Sequence, residues 1–141
     1  MPTRSRGREI AMQAAYQADM NPAIDSGEIS RFLEGRLKAR GLVAFARGLV
    51  DGVLAHRAEI DAVLEAASEN WRVARMAATD RAILRIACHE ILHTDTPPKV
   101  ACDEAVELAK RYGSVASPKF VAGILGRLLA DRGVTASSSK G

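Results

Sequence analysis

Little in this chain could build sheets or staple a small fold. Phe, Tyr and Trp together make up 4% of its 141 residues, so aromatic-rich strands are excluded and aliphatic helix faces must fill the core. The two cysteines, Cys88 and Cys102, form no CxxC pair. They read as small buried apolar residues in a reducing compartment, not as a disulfide framework. No apolar run is long enough to cross a bilayer, and the polar amino end lacks the apolar segment of a signal peptide, so a cytoplasmic location is expected. There is no glycine-rich phosphate loop, no cofactor motif and no hairpin signal. Neither sign of charge dominates: the formal net charge is +3. Such mild basicity permits nucleic-acid binding without demanding it, so the placement of cations matters more than their sum.

Helical periodicity is what remains. A first helix is predicted from about Arg6 to Met20, stopped by Asn21-Pro22. A second starts near Ser26 and ends before Gly41. The stretch from Leu42 to Ala67 reads as two helices meeting near His56, and Trp71 falls in a connector. A fifth helix is expected to open with Thr79 or Asp80 as N-cap and to run to about His93. Pro97-Pro98 breaks the chain before a helix from about Lys99 to Tyr112, with Gly113 as its C′ residue. The last helix takes Ser117 as N-cap and Pro118 at N1, and Gly133 ends it. The fold is therefore all-α, about seven helices in one continuous bundle or two interlocked ones, over residues 1–133. Residues 134–141 are small and polar and are expected to be a disordered tail.

Three places could carry chemistry. At the amino end Arg4, Arg6 and Arg8 put three cations in five residues. Guanidinium groups suit phosphate because their forked donors are weakly hydrated. The run His89-Glu90-Ile-Leu-His93 matches the zinc-hydrolase pattern, two imidazoles at i and i+4 with Glu90 to activate water. Against it stand Arg85, a cation one turn earlier, and the lack of any strand to hold a substrate; the bland alternative makes both histidines surface residues. Third, Lys119 and Phe120 fall in the first turn of the last helix, where free amides can hold a phosphate and a ring can stack a base. The rival there is a core Phe120 beside a solvated Lys119. The acids Asp103, Glu104 and Glu107 read as a solvated face.

Three motifs in order resemble the NusB family: Asp80-Arg-Ala-Ile-Leu-Arg-Ile-Ala-Cys-His-Glu, then Val100-Ala-Cys-Asp-Glu-Ala-Val-Glu-Leu-Ala-Lys-Arg-Tyr-Gly, then Ser117-Pro-Lys-Phe-Val-Ala-Gly-Ile-Leu. The opening Arg6-Gly-Arg-Glu-Ile-Ala-Met-Gln-Ala-Ala-Tyr16 is similar to that family's arginine-rich start. The resemblance implies two small helical bundles and a non-enzymatic role, with no cofactor and no bound metal. It implies binding of single-stranded boxA RNA in ribosomal-RNA leader transcripts jointly with NusE, a small-subunit ribosomal protein, within the RNA polymerase antitermination complex. It makes Arg4, Arg6, Arg8, Gln13, Tyr16, Lys119 and Phe120 the RNA-binding residues, and Asp80, Arg81 and Glu90 the region of NusE contact. It also admits a homodimer, since some relatives dimerise. Two departures stand out: Ser5 and Gly7 dilute the arginine run, and Ala122 occupies a position where the family commonly has Asn. The alternatives are a helical interaction scaffold without RNA binding, the zinc hydrolase, and an RNA-targeting module like that of ribosomal-RNA cytosine methyltransferases without its catalytic half.

Overall fold

A computed structural model describes residues 3–69 and 71–133; the tail expected at 134–141 lies outside the described residues. Seven α-helices follow in order: α1 (Arg4–Met20), α2 (Ser26–Arg36), α3 (Arg40–Ala55), α4 (Arg57–Ala67), α5 (Ala78–His93), α6 (Pro98–Tyr112) and α7 (Ser117–Asp131). A short 3₁₀ turn, Val73–Arg75, precedes α5, and no strand occurs among the described residues.

Local chemistry explains the boundaries. Helix α1 starts two residues earlier than its apolar period suggested, because Thr3 caps it: its hydroxyl accepts from the Arg6 amide at 3.3 Å. Asp25 and Glu28 form a reciprocal capping box on α2. Helices α3 and α4 meet at His56, which closes one and opens the other. Helix α5 opens at Ala78 with no side-chain cap, so neither Thr79 nor Asp80 is the N-cap; Asp80 lies in the first turn, where a carboxylate complements the helix dipole. Ser117 is likewise a helical residue and not the cap, and its Oγ accepts from the Ser114 amide at 2.9 Å to hold the turn. Gly113 is needed for space, not for a left-handed backbone. Its φ is −92°, but a Cβ there would strike the Ser117 side chain.

Helix α5 is the shared axis. It packs against α1 and α3 on one side and against α4, α6 and α7 on the other. Helices α1, α2 and α3 thus form one small bundle, and α4, α6 and α7 form a second around the same central helix. Leu33 and Val50 are buried in the first, Leu64, Leu125 and Leu128 in the second, and Ile83 and Leu84 of α5 between them. Each such aliphatic side chain contributes about 1.5–3 kcal/mol on burial.

Being buried along most of its length, α5 takes Asp80, Arg85, His89 and Glu90 into the interior. A buried charge is tolerated only when paired and hydrogen-bonded. Arg85 is held by Asp61 through two bonds of 2.9 Å, and Arg81 by Asp19 at 2.7 Å. Glu90 requires a cation from elsewhere in the chain, and that requirement shapes the amino end.

Candidate nucleic-acid interface

Because the arginine run is helical from Arg4 onward, its three guanidinium groups have different surroundings. Arg4 and Arg8 lie on one face and flank the Phe45 ring of α3, with Cζ 4.5 Å and 5.2 Å from the ring centroid. Arg8 then turns inward. It is 5% exposed, and its Nε and Nη2 reach both oxygens of Glu90 at 2.8–3.0 Å, while Nη1 reaches Glu104 at 3.1 Å. Glu90 is itself 1% exposed and accepts a further bond from the Thr96 hydroxyl at 2.8 Å. Burial alone would lower the Arg8 pKa, but the hydrogen bonds and charges of Glu90 and Glu104 outweigh it and raise it. The expectation of a free guanidinium at Arg8 is therefore corrected: two carboxylates already engage it.

The two residues that dilute the arginine run have structural jobs in this cluster. Ser5 donates its hydroxyl to Glu104. Gly7 lets the α3 ring seat directly on α1; a Cβ at that position would stand 2.9 Å from Phe45 Cδ2. Glu104 consequently belongs to the interior cluster and not to a solvated face.

Arg6 takes the opposite course. Its side chain is 44% exposed, and Nη1 pairs with Glu9 at 2.8 Å. Glu9 is buried beside the end of α6, where it also takes Arg111 at 2.9 Å and accepts from the Tyr112 hydroxyl. Gln13 donates to the same hydroxyl at 3.1 Å. Burial would raise the Glu9 pKa, but the hydrogen bonds from Tyr112 and Arg6 and the charge of Arg111 hold it below the ordinary carboxylate value. Two exposed cations thus share one carboxylate, and the rim keeps a positive surplus. Lys119 is exposed in the first turn of α7, just past the turn that follows Tyr112, and Tyr16 lies exposed one turn beyond Gln13.

Arg111 and Tyr112 were not singled out from the sequence. The available signal was Glu9, an acid set against a cationic run, which needs partners once its helix face is buried. Phe120 packs half-buried against Trp71, ring centroids 5.4 Å apart and edge to face, and Trp71 is the more exposed ring. Asp80 and Glu90 are buried, and Arg81 bonds Asp19 and the Met76 carbonyl, so these side chains do not form an outward patch. The hydrolase alternative fails on geometry. Glu90 is consumed by Arg8, and the His89 ring is buried over Gly52, whose missing Cβ makes room for it. His89 is thus no surface residue, in contrast to the expectation. Burial pushes the Cys88 thiol up to about 12 and the Cys102 thiol up to about 11, which disfavours the reactive thiolate at both.

Comparison with known proteins agrees with this architecture. The NusB family profile matches residues 5–130. Over 128 residues the chain is 46% identical to the transcription antitermination protein NusB of an Anaeromyxobacter species, covering 90% of each. Among solved structures, T. maritima NusB is 34% identical with a TM-score of 0.80, covering 90% of each chain. A structure of the antitermination factors NusB and NusE in complex with dsRNA matches at a TM-score of 0.83, covering 91% of this chain and 96% of that one. At 24% identity that last likeness is one of fold. In the described residues no helix is long and apolar enough to cross a membrane. With a profile spanning nearly its whole length, and a relative close to half identical, this chain belongs to the NusB family.

Proposed function

We propose that the protein is a cytoplasmic, non-catalytic antitermination factor. It binds boxA RNA of ribosomal-RNA leader transcripts together with NusE, and the pair helps RNA polymerase read through terminators. Residues 1–133 act as one RNA-binding domain. Membership of the family of transcription antitermination protein NusB supports this reading. The observation that carries it is the cationic rim at the junction of α1 and α6, where Arg6 and Arg111 share the single carboxylate of Glu9.

Within that reading Arg4, Arg6, Arg111 and Lys119 hold phosphates, and Gln13 and Tyr16 meet sugar and base edges. Exposed aromatic rings can stack open bases of single-stranded RNA. Trp71 is the better placed stacking surface, with Phe120 fixing it from the side. Arg8 positions the amino end of α1 and does not face the phosphates. Asp80, Arg81 and Glu90 shape the NusE-facing surface from beneath through the pairs that fix α5. The experiment is a titration of labelled leader RNA at several salt concentrations, with and without NusE. Binding that weakens with salt and tightens with NusE is expected; RNA that fails to bind even with NusE present would favour the scaffold alternative.

A further inference from the structure

All three histidines of the chain converge on one spot, although they come from different elements. His56 sits at the junction of α3 and α4, Glu59 in the first turn of α4, and His93 in the last turn of α5. The His56 and His93 rings stack 3.9 Å apart at 16°. His93 Nε2 lies 2.7 Å from Glu59 Oε1, and His56 Nδ1 lies 3.8 Å from the same oxygen. One donor atom from each residue falls within 4.8 Å of the others. His89 stands behind them, its ring 5.6 Å from His93 and 6.1 Å from His56, and its buried Nδ1 has no hydrogen-bond partner.

We propose that His56, Glu59 and His93 form a binding site for a borderline divalent transition metal of the zinc type. Two imidazoles and one carboxylate are the donor set such ions prefer over calcium or magnesium. Tetrahedral ligation at about 2.0–2.2 Å puts donor atoms roughly 3–3.5 Å apart. The donors here lie within 4.8 Å of one another, and the His56 ring turns out of its stack on His93 to aim its in-plane lone pair at the ion. The ion replaces the proton shared by His93 Nε2 and Glu59, and that proton moves to Nδ1 of the same ring or to water. Nearby cations do not oppose it. Arg57 is directed to Asp19 at 3.2 Å, and Arg85 to Asp61 at 2.9 Å.

This site is not the sequence pattern His89-Glu90-His93: it uses one of those histidines and leaves out the glutamate. Glu90 is bound to Arg8, and the role of the ion is to clamp the α3–α4 junction to the end of α5. The inference is independent of RNA binding.

The test uses the untagged full chain, stripped with a chelator and titrated calorimetrically with Zn²⁺ and, for its visible absorption, Co²⁺. One ion per chain is expected, with the thermal midpoint raised by roughly 9 °C when free Zn²⁺ is about a hundredfold above Kd. Glu59→Gln and His56→Gln alter exposed side chains and should keep the helical circular dichroism while each weakens Zn²⁺ binding at least tenfold. No binding by the wild-type chain, or binding that both variants leave unchanged, would overturn the proposal.

Discussion

Arg6 and Arg8 stand two residues apart on one helix and meet opposite fates. Arg8 is drawn into the interior by Glu90, an acid on a nearly all-buried helix that needs a cation. Arg6 stays at the rim, where Arg111 competes with it for Glu9. The same side chain is a structural strut in one place and, in the proposed function, a hydrogen-bond donor to phosphate in the other. Both acids are buried; what separates the two arginines is their own exposure, 44% for the Arg6 side chain against 6% for that of Arg8.

The strut half of the comparison breaks hardest. Glu90→Ala leaves Arg8 buried with only Glu104 and should cost about 3 kcal/mol, the lower end of what removing one partner of a buried ion pair does. Urea unfolding measures it, and a loss under about 1 kcal/mol would put the two arginines on the same footing. Replacing both partners, Arg8→Met with Glu90→Met, should restore much of that loss, because a well-packed apolar pair often matches a buried ion pair.

Next comes Gly52→Ala, which drives a methyl into the His89 ring and should cost about 2 kcal/mol by overpacking. Thermal unfolding reads it, and a neutral result would show that the His89 ring can leave its seat over α3.

Acid sharpens the contrast by a smaller amount. Burial first, then the charges of His93 and His56, lowers the His89 pKa from its ordinary 6.5. A basic group with a depressed native pKa takes up protons more readily when unfolded, so stability is full above about 6.5 and declines as pH falls below it. Glu9, also held low, adds a second loss as pH falls below its ordinary 4.5. Unfolding midpoints across this range should fall in two stages, with NMR of the His89 ring following the first; a midpoint flat from neutrality to about pH 5 would contradict the first.

Much of the architecture was legible in the sequence. The break at His56 showed because one long apolar period had to bend there, and Asn21-Pro22 and Pro97-Pro98 marked the ends they were expected to mark. The start of α1 was not legible, since it depends on the single Thr3 hydroxyl and not on a repeating pattern. The candidate site was half visible. Three arginines in five residues advertise a cationic end, but Arg8 finds Glu90 82 positions away, and no local spacing reveals such a partner. Ser5 and Gly7 looked like dilution of a motif for the same reason, because their jobs lie with Glu104 and Phe45 on other helices. Arg111 became a site residue only when α6 was seen to end against α1.

The most direct test of the account comes from the rim. Arg6, Arg111 and Lys119 changed together to Ala leave buried Glu9 with the Tyr112 hydroxyl alone and should cost about 1–3 kcal/mol of unfolding free energy, with the fold retained. The same variant should lower the log–log salt slope of leader-RNA binding by roughly 2, at about 0.7 per phosphate contact on a single strand. A wild-type slope in that variant, with the loss of slope appearing instead in a folded Arg8→Met, Glu90→Met chain, would contradict the assignment of strut and donor.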